Sequence, residues 1–321
     1  MRSDNTLYVV VPCYKEEEVL PETSKRLKAK LMALIAQGKI SPSSRILFVN
    51  DGSKDRTWPI IEELHASDRI FSGVNLSRNR GHQNALLAGL MTAVQYADMM
   101  VSMDADLQDD IDAMDRMIDA YHEGYDVVYG VRSSRKTDSF FKRFTAESFY
   151  KLMKAMGVDI VFNHADYRLM SRRAVEGLAD FKEVNLFLRG IVPQIGYSWT
   201  TVEYERAKRF AGESKYPLKK MLSFAFDGIT SFSVKPLRLI LTLGAVIFAL
   251  SLVMLLWTLI RWIAGATVSG WASLMCSIWM IGGIQLLALG VIGEYMGKVY
   301  SETKARPRFI IERVLNDRDN D

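Results

Sequence analysis

Asp104-Ala105-Asp106-Leu107-Gln108-Asp109 follows directly on the apolar stretch Met99-Met100-Val101-Ser102-Met103. Strand side chains repeat with a period of two, so two carboxylates one residue apart at a strand end point the same way. An amide oxygen follows two positions further on. Asp104 and Asp106 repel each other unless a cation sits between them. An all-oxygen donor set suits a hard divalent ion such as Mg²⁺ or Mn²⁺, and Mg²⁺ is usually completed by substrate phosphates. The run therefore reads as a platform for a metal ion and a diphosphate. Taken alone, Asp-x-Asp describes a solvated turn before a helix equally well, so the surrounding elements have to decide.

Strand and helix patterns alternate through the first part of the chain. Strands are expected at Leu7–Val11, Arg45–Asn50, Val74–Leu76, Met99–Met103 and Val127–Val131. Helices are expected at Glu16–Ala36, Pro59–Ala66, Asn84–Tyr96 and Ile111–His122. This order predicts an α/β domain with a mostly parallel sheet and helices on both faces. Ligands of such sheets bind beyond the carboxyl ends of the strands. Pro12-Cys13-Tyr14, Asp51-Gly52-Ser53 and Asp104-Ala105-Asp106 all fall there, and their convergence on one crevice outweighs any one of them. No Gly-x-Gly-x-x-Gly follows the first strand, which argues against a dinucleotide site.

The last third is different. Residues 239–260 and 271–292 hold no charged residue, and each run of 22 residues can cross a hydrocarbon core of about 30 Å. Ala264–Gly270 connects them as a tight hairpin, with Trp257, Trp262 and Trp271 suited to interfacial anchoring. Lys215, Lys219, Lys220, Lys235 and Arg238 precede the first run. Lys298, Lys304, Arg306, Arg308 and Arg313 follow the second. The positive-inside rule then puts the amino-terminal domain and the tail in the cytoplasm, and no signal peptide precedes Leu7. The expectation is a multi-pass protein of the plasma (inner) membrane. The net charge of +4 among 321 residues is ordinary, and no nucleic-acid partner is expected. Cys13 and Cys276 are the only cysteines. One lies in the soluble part and one in a span, so no disulfide is expected, in keeping with a reducing compartment, and no Cys/His cluster suggests zinc.

Four segments together carry a resemblance. Val10-Val11-Pro12-Cys13-Tyr14-Lys15-Glu16, Val49-Asn50-Asp51-Gly52-Ser53-Lys54-Asp55, Arg78-Asn79-Arg80-Gly81-His82-Gln83-Asn84-Ala85 and the Asp104–Asp109 run resemble the successive motifs of glycosyltransferase family 2. Within it the chain resembles the polyprenyl-phosphate glycosyltransferases, the group of dolichol-phosphate mannose synthase and the bacterial undecaprenyl-phosphate glucosyltransferases. The resemblance implies a GT-A (Rossmann-like) catalytic domain with a two-helix transmembrane hairpin, a nucleotide-sugar donor, a polyprenyl phosphate acceptor and Mg²⁺ or Mn²⁺. It implies that Pro12, Tyr14 and Glu16 line the base and ribose pocket and that Asp51 binds the base edge. Arg78 and Gln83 belong to the same nucleotide-sugar site. Asp104, Asp106 and Gln108 hold the metal, Asp104 also touching the nucleotide.

The acceptor side is implied in the same way. Val128-Tyr129-Gly130-Val131-Arg132 through Arg135 resembles the segment that meets the acceptor phosphate. Residues 140–156 carry an apolar helical face with Lys142 and Arg143 among it, a basic amphipathic helix suited to a lipid phosphate. A second stripe, Leu218 to Phe232, is expected to lie in the interface. His164-Ala165-Asp166-Tyr167-Arg168-Leu169-Met170-Ser171 resembles a Gly-Asp-Phe-Arg-Leu-Met segment whose Asp lies near the acceptor; Ala165 and Tyr167 depart from that pattern, as Asp110 departs from a usual proline. Gly212-Glu213-Ser214-Lys215-Tyr216 resembles a loop that closes over the nucleotide sugar, and Lys215 and Arg206 add positive charge near phosphates. The expected division is a catalytic domain at 1–210, interfacial helices at 211–236, a hairpin at 237–296 and a tail at 297–321.

The chemistry expected is attack of a lipid phosphate oxygen on the sugar in a single displacement with inversion. Asp106 acts through the metal, and Asp166 orients the acceptor or takes its proton. UDP-glucose is the first donor expected, followed by UDP-N-acetylhexosamine and GDP-mannose. A homo-oligomer is expected from the bacterial relatives. A processive polysaccharide synthase is disfavoured because Gln-x-x-Arg-Trp is absent. A soluble acceptor leaves the hairpin unexplained, and a non-catalytic scaffold leaves Asp104, Asp106 and Gln108 unexplained.

Overall fold

The computed structural model describes residues 4–133, 164–184, 186–205, 230, 233–264 and 270–316. Within these the chain forms two compact units, the second holding the two long carboxyl-terminal helices, with residues from 306 onward rejoining the first. The first unit is built on an eight-stranded sheet. Its strands are β1 (Leu7–Cys13), β2 (Arg45–Asn50), β3 (Phe71–Leu76), β4 (Met99–Ser102), β5 (Val127–Arg132), β6 (His164–Ser171), β7 (Trp199–Tyr204) and β8 (Ile311–Leu315), in the order β7-β5-β6-β4-β1-β2-β3-β8. β1 pairs in parallel with both β2 and β4, β2 with β3, and β5 with β7; β6 runs antiparallel between β4 and β5, and β8 antiparallel to β3.

Burial explains the central strands. Every residue of β1 is buried, as a strand covered by helices on both faces requires. The helices are α1 (Leu20–Ala36), α2 (Thr57–Ser67), α3 (His82–Ala93), α4 (Ala113–His122), α5 (Arg172–Ala179) and the single turn α6 (Leu188–Ile191). α1 opens with Pro21 in its first turn and buries Leu20, Thr23, Ser24, Leu27, Leu31 and Leu34, one stripe at helical spacing. α3 packs so close to the sheet that a Cβ on Gly89 would lie 2.4 Å from Val10 Cγ1. It begins two residues before the expected Asn84, which brings His82 and Gln83 into its first turn.

The second unit contains α7 (Lys235–Ile263) and α8 (Trp271–Thr303). Both are long and apolar enough to cross a membrane. The two uncharged runs lie inside them, and α8 continues past its run to carry Glu294, Lys298 and Glu302. Tyr295 Oη on α8 donates to the Ser233 carbonyl at 2.5 Å. The expected amphipathic stretch at 140–156, that at 218–232 apart from residue 230, the 212–216 loop and most of the hairpin turn lie outside the described residues.

At the amino-terminal edge of β5, Asp126 is buried and accepts hydrogen bonds from Arg173, from Ser198 Oγ at 2.8 Å and from Ser171 Oγ at 2.9 Å. Burial opposes its ionisation, but these donors outweigh it and hold the carboxyl below its usual range. A depressed folded pKa gives stability that is present above the unfolded value of about 3.9 and is lost as pH falls through the folded one. Asp126→Asn is therefore expected to cost about 1–3 kcal/mol at neutral pH. Its deficit should narrow between about pH 5 and about pH 3. Denaturant unfolding of the detergent-solubilised chain across pH checks both; a gap that persists unchanged in acid would contradict the ionised form as its source.

Candidate active site

Register brings the motifs together. Cys13 pairs with Asn50 across β1 and β2, and Val10 with Ser102 across β1 and β4. Tyr14, Asp51 and the Asp104–Asp109 run thus leave the same edge of the sheet. Because β6 is antiparallel, with Arg168 opposite Ser102, Asp166 enters from that edge as well. Ser102 Oγ fixes it there by donating to the Asp166 carbonyl at 2.5 Å.

On the β1–β2 side three loops interlock. The Asp51 amide donates to Cys13 O at 2.9 Å, the Lys15 amide to Ser53 Oγ at 3.0 Å and the Glu16 amide to Thr57 Oγ1 at 3.0 Å. Asp51 is buried. One of its oxygens accepts the Arg80 amide at 2.6 Å and the other the Gly81 amide at 2.9 Å. Burial raises its pKa, against the pull of those amides and of His82. Each oxygen keeps a second lone pair, so holding the 78–81 loop leaves Asp51 able to accept from a ligand. Gly52 has φ +60°, and a Cβ there would fall 2.4 Å from Arg78 C and 2.5 Å from Asn79 N. Pro12 is buried in β1, Glu16 is half-buried, and Tyr14 and Arg78 are exposed at the rim. Lys15 Nζ lies 5.6 Å from the Tyr14 ring centroid.

On the β4–β6 side acidic groups crowd. Leu107 sits at φ +56°, a conformation costing a bulky residue about 1–3 kcal/mol. It bends the run so that the Gln108 amide donates to Asp106 Oδ1 at 3.2 Å. The Asp104 carboxyl is pushed above its ordinary range, first by desolvation and then by Asp166 and Asp106, with His82 and Arg189 opposing. His82 Nε2 lies 3.5 Å from Asp104 and 3.6 Å from Asp166. Arg189 grips Asp166 through two nitrogens at 3.2 and 3.0 Å, and Arg168 Nη2 adds a third bond at 3.0 Å. Burial disfavours charge on Asp166, yet Arg189, Arg168 and His82 hold its carboxyl far below the usual carboxylate range. A carboxylate so held is a fixed negative group and a poor proton acceptor. Asp109 is raised to about 6, by burial and then by Asp104, and Tyr204 Oη donates to it at 2.6 Å. Burial raises the pKa of both Asp109 and Tyr204, and Arg132, at the end of β5, opposes that rise in each.

The donor chemistry here fits a divalent cation completed by substrate. Among the described residues no three His, Cys, Asp or Glu ligands form a closed cage. Asp104 and Asp106 with the Gln108 amide instead offer two carboxylates and a neutral oxygen on one turn, the incomplete set that Mg²⁺ takes when phosphates supply the rest. Of the residues expected from sequence, the structure gathers Pro12, Tyr14, Glu16, Asp51, Arg78, Asp104, Asp106, Gln108, Arg132 and Asp166 on this edge. Gln83 is there too, but its Oε1 accepts the Leu188 amide at 2.7 Å, which seats α6 and so Arg189. Arg135, Arg143, Arg206 and Lys215 lie outside the described residues. Arg189, His82 and Tyr204 were not assigned from sequence; for Arg189 the one signal is a lone cation inside Leu186-Phe187-Leu188-Arg189-Gly190.

Residues 8–178 match glycosyl transferase family 2, and residues 235–299 match the GtrB C-terminal hairpin. The chain is 52% identical over 311 residues to the uncharacterized glycosyltransferase YkoT of Bacillus subtilis (97% of this chain, 92% of the relative). It is 41% identical over 308 residues to the prophage bactoprenol glucosyl transferase homolog of Escherichia coli K12 (95% and 98%). It is 40% identical over 307 residues to the bactoprenol glucosyl transferase of Shigella phage SfX (95% and 98%). The chain belongs to glycosyl transferase family 2: it is a glycosyltransferase whose mixed, mostly parallel sheet is of the GT-A type.

Gly52→Ala tests the interlocked loops. The positive φ and the approach to the 78–79 backbone are expected to lower stability by about 1–3 kcal/mol and to speed proteolysis between Ser77 and His82. Limited proteolysis with mass spectrometry and thermal unfolding measure both; an unchanged cleavage rate would mean that the 78–81 loop does not depend on this contact.

Proposed function

We propose that this glycosyltransferase moves a sugar from a nucleotide sugar, UDP-glucose first among candidates, to a polyprenyl phosphate such as undecaprenyl phosphate. UDP-N-acetylhexosamine and GDP-mannose are the alternative donors. The observation that carries the reading is the pairing, at one sheet edge, of the open oxygen set of Asp104, Asp106 and Gln108 with Asp166 gripped by Arg168 and Arg189. The acceptor is supported by the hairpin of GtrB type and by relatives named as bactoprenol glucosyl transferases. In this reading residues 1–210 act in the cytoplasm, 211–236 lie at the inner membrane surface, 237–296 cross the membrane twice and 297–321 return to the cytoplasmic side.

Asp104, Asp106 and Gln108 would hold Mg²⁺ or Mn²⁺, which as a Lewis acid supplies stabilisation of the charge developing on the leaving diphosphate. The protein does the rest by placement. Tyr14, Glu16 and Asp51 seat the nucleoside, and Arg78 faces its phosphates from the rim. A phosphate monoester has a second pKa near ~6, so the nucleophile is already largely ionised and needs no strong base. Asp166 then serves to orient: its charge, fixed by two guanidinium groups, sets where Arg189 presents its own and where the His82 ring lies. Arg132, with Arg135, Arg143 and Arg206, would draw in the acceptor phosphate, since guanidinium forks match phosphate oxygens. The reading takes the transfer as a single displacement with inversion, the lipid phosphate oxygen forming the new bond as the diphosphate leaves.

The test uses purified protein in lipid with undecaprenyl phosphate and radiolabelled UDP- and GDP-sugars, in Mg²⁺, Mn²⁺ or EDTA. Label should pass into the organic phase from one donor, depend on the divalent ion and vanish in Asp106→Ala. Nucleotide binding without transfer from any donor would overturn the reading. Arg189→Ala, which loosens Asp166, is expected to lower kcat about tenfold to a hundredfold with little change in the KM of the nucleotide sugar. A change confined to KM would place Arg189 in nucleotide binding instead.

A further inference from the structure

β8 pairs irregularly with the sheet edge. Gly73, Val74 and Asn75 of β3 face Leu315, Val314 and Arg313 in step, but Leu76 faces Ile311. β3 advances one residue where β8 advances two, so Glu312 is the extra residue of a bulge. Bulges beside functional sites re-aim a side chain, and here the Glu312 carboxylate accepts a hydrogen bond from Asn75 Nδ2 at 2.9 Å. Asn75 Oδ1 accepts from Asn50 Nδ2 at 2.7 Å, its direct partner across β2 and β3. Asn50 Oδ1 accepts the Ser53 amide at 3.2 Å, and Ser53 Oγ accepts the Lys15 amide at 3.0 Å. Four hydrogen bonds thus connect the tail to the Tyr14–Glu16 loop, whose Lys15 is held at φ +56°.

This series has a direction. A carboxylate can only accept, whereas an amide side chain can face either way. Glu312 therefore turns the Asn75 NH₂ toward the tail and leaves its oxygen for Asn50. That orients Asn50 with its own oxygen toward the Ser53 amide. A donor in place of Glu312 would favour turning both amides over, and the Ser53 N–H would then face an NH₂ group. A second link runs alongside: the Ser77 amide donates to Ile310 O at 3.0 Å, and Ser77 leads into the 78–81 loop that Asp51 holds.

We propose that Glu312, in the tail beyond the long helices, is a positioning residue that sets the polarity of the Asn75–Asn50–Ser53–Lys15 series and thereby the shape of the nucleotide pocket. The proposal rests on the reading of Tyr14, Glu16 and Asp51 as that pocket.

The test compares Glu312→Gln, which keeps an acceptor within reach, Glu312→Ala, which removes it, and Glu312→Lys, which offers only donors. All are made in the full chain in lipid, with Tyr14→Ala alongside. For Glu312→Ala the KM of the nucleotide sugar and the Kd of free UDP or GDP should rise about fivefold, the worth of one net hydrogen bond. Glu312→Lys should exceed that, and Glu312→Gln should stay within about twofold, with kcat and the KM of the lipid acceptor unchanged throughout. This order, with unfolding temperatures alike, supports the proposal; a tail that merely stabilises the fold would not separate Lys from Gln in nucleotide affinity. Unchanged nucleotide affinity in Glu312→Ala and Glu312→Lys, with affinity lost in Tyr14→Ala, would overturn the role of Glu312 and leave the pocket standing. Unchanged affinity in all four, Tyr14→Ala included, would remove the pocket and the proposal together.

Discussion

Four carboxyl groups, those of Asp104, Asp106, Asp109 and Asp166, gather beyond the ends of β4 and β6, and the site depends on how their mutual repulsion is met. Burial alone would drive such groups to protonate. The protein meets the cost unequally. Asp166 receives Arg168, Arg189 and the nearby imidazole of His82 and is kept ionised. Asp109 receives the Tyr204 hydroxyl and is raised to about 6. Asp104 is left raised, with negative neighbours. This gradient runs from a carboxylate held by two guanidinium groups, Asp166, to one, Asp104, that has only His82 and Arg189 to set against burial and its acidic neighbours.

That gradient is a product of topology. Were β6 parallel to β4, Asp166 and Arg168 would enter the sheet from the opposite edge, far from Asp104. The antiparallel insertion between β4 and β5 puts Arg168 opposite Ser102, and Gln83 in the first turn of α3 seats α6 so that Arg189 closes on the same carboxylate. Two positive-φ residues, Lys15 and Leu107, sit where the backbone turns into the site. Such conformations persist only where surrounding contacts over-determine them. The Ser53 hydroxyl on Lys15 and the Gln108–Asp106 bond beside Leu107 are contacts of that kind.

The first five strands and their helices were legible because each is an apolar run or stripe closed by a turn signal. β6 and β7 were not expected as strands. In β6 the buried positions include Arg168 and Ser171 along with Tyr167, Leu169 and Met170, so no apolar alternation marks it. β7 is largely exposed apart from Val202 and Tyr204. The acidic run, Asp51 and Asp166 could be found because their types and motifs are local. Arg189 could not: its meaning comes from a partner 23 residues away and a support 105 residues away from its neighbour Leu188. Gln83 shows a second role for a motif residue: its oxygen also accepts from the protein backbone at Leu188.

The return of the tail has a topological consequence. β8 follows α8 in the chain yet lies in the same sheet as β3, which precedes α7. The segments before and after the two long helices must therefore be on one side of any membrane those helices cross. An even number of crossings satisfies this; a single crossing does not, so either both helices span or neither does. The lysines and arginines that flank both helices, set against a connector with Arg261 alone at its edge, are the charge pattern on which the proposed pair of crossings rests. Edge strands are commonly covered to prevent pairing with other chains. Here the cover for β3 is a segment that follows both helices, so this edge is covered only after both helices have been made, and the bulge in that cover is the one that carries Glu312.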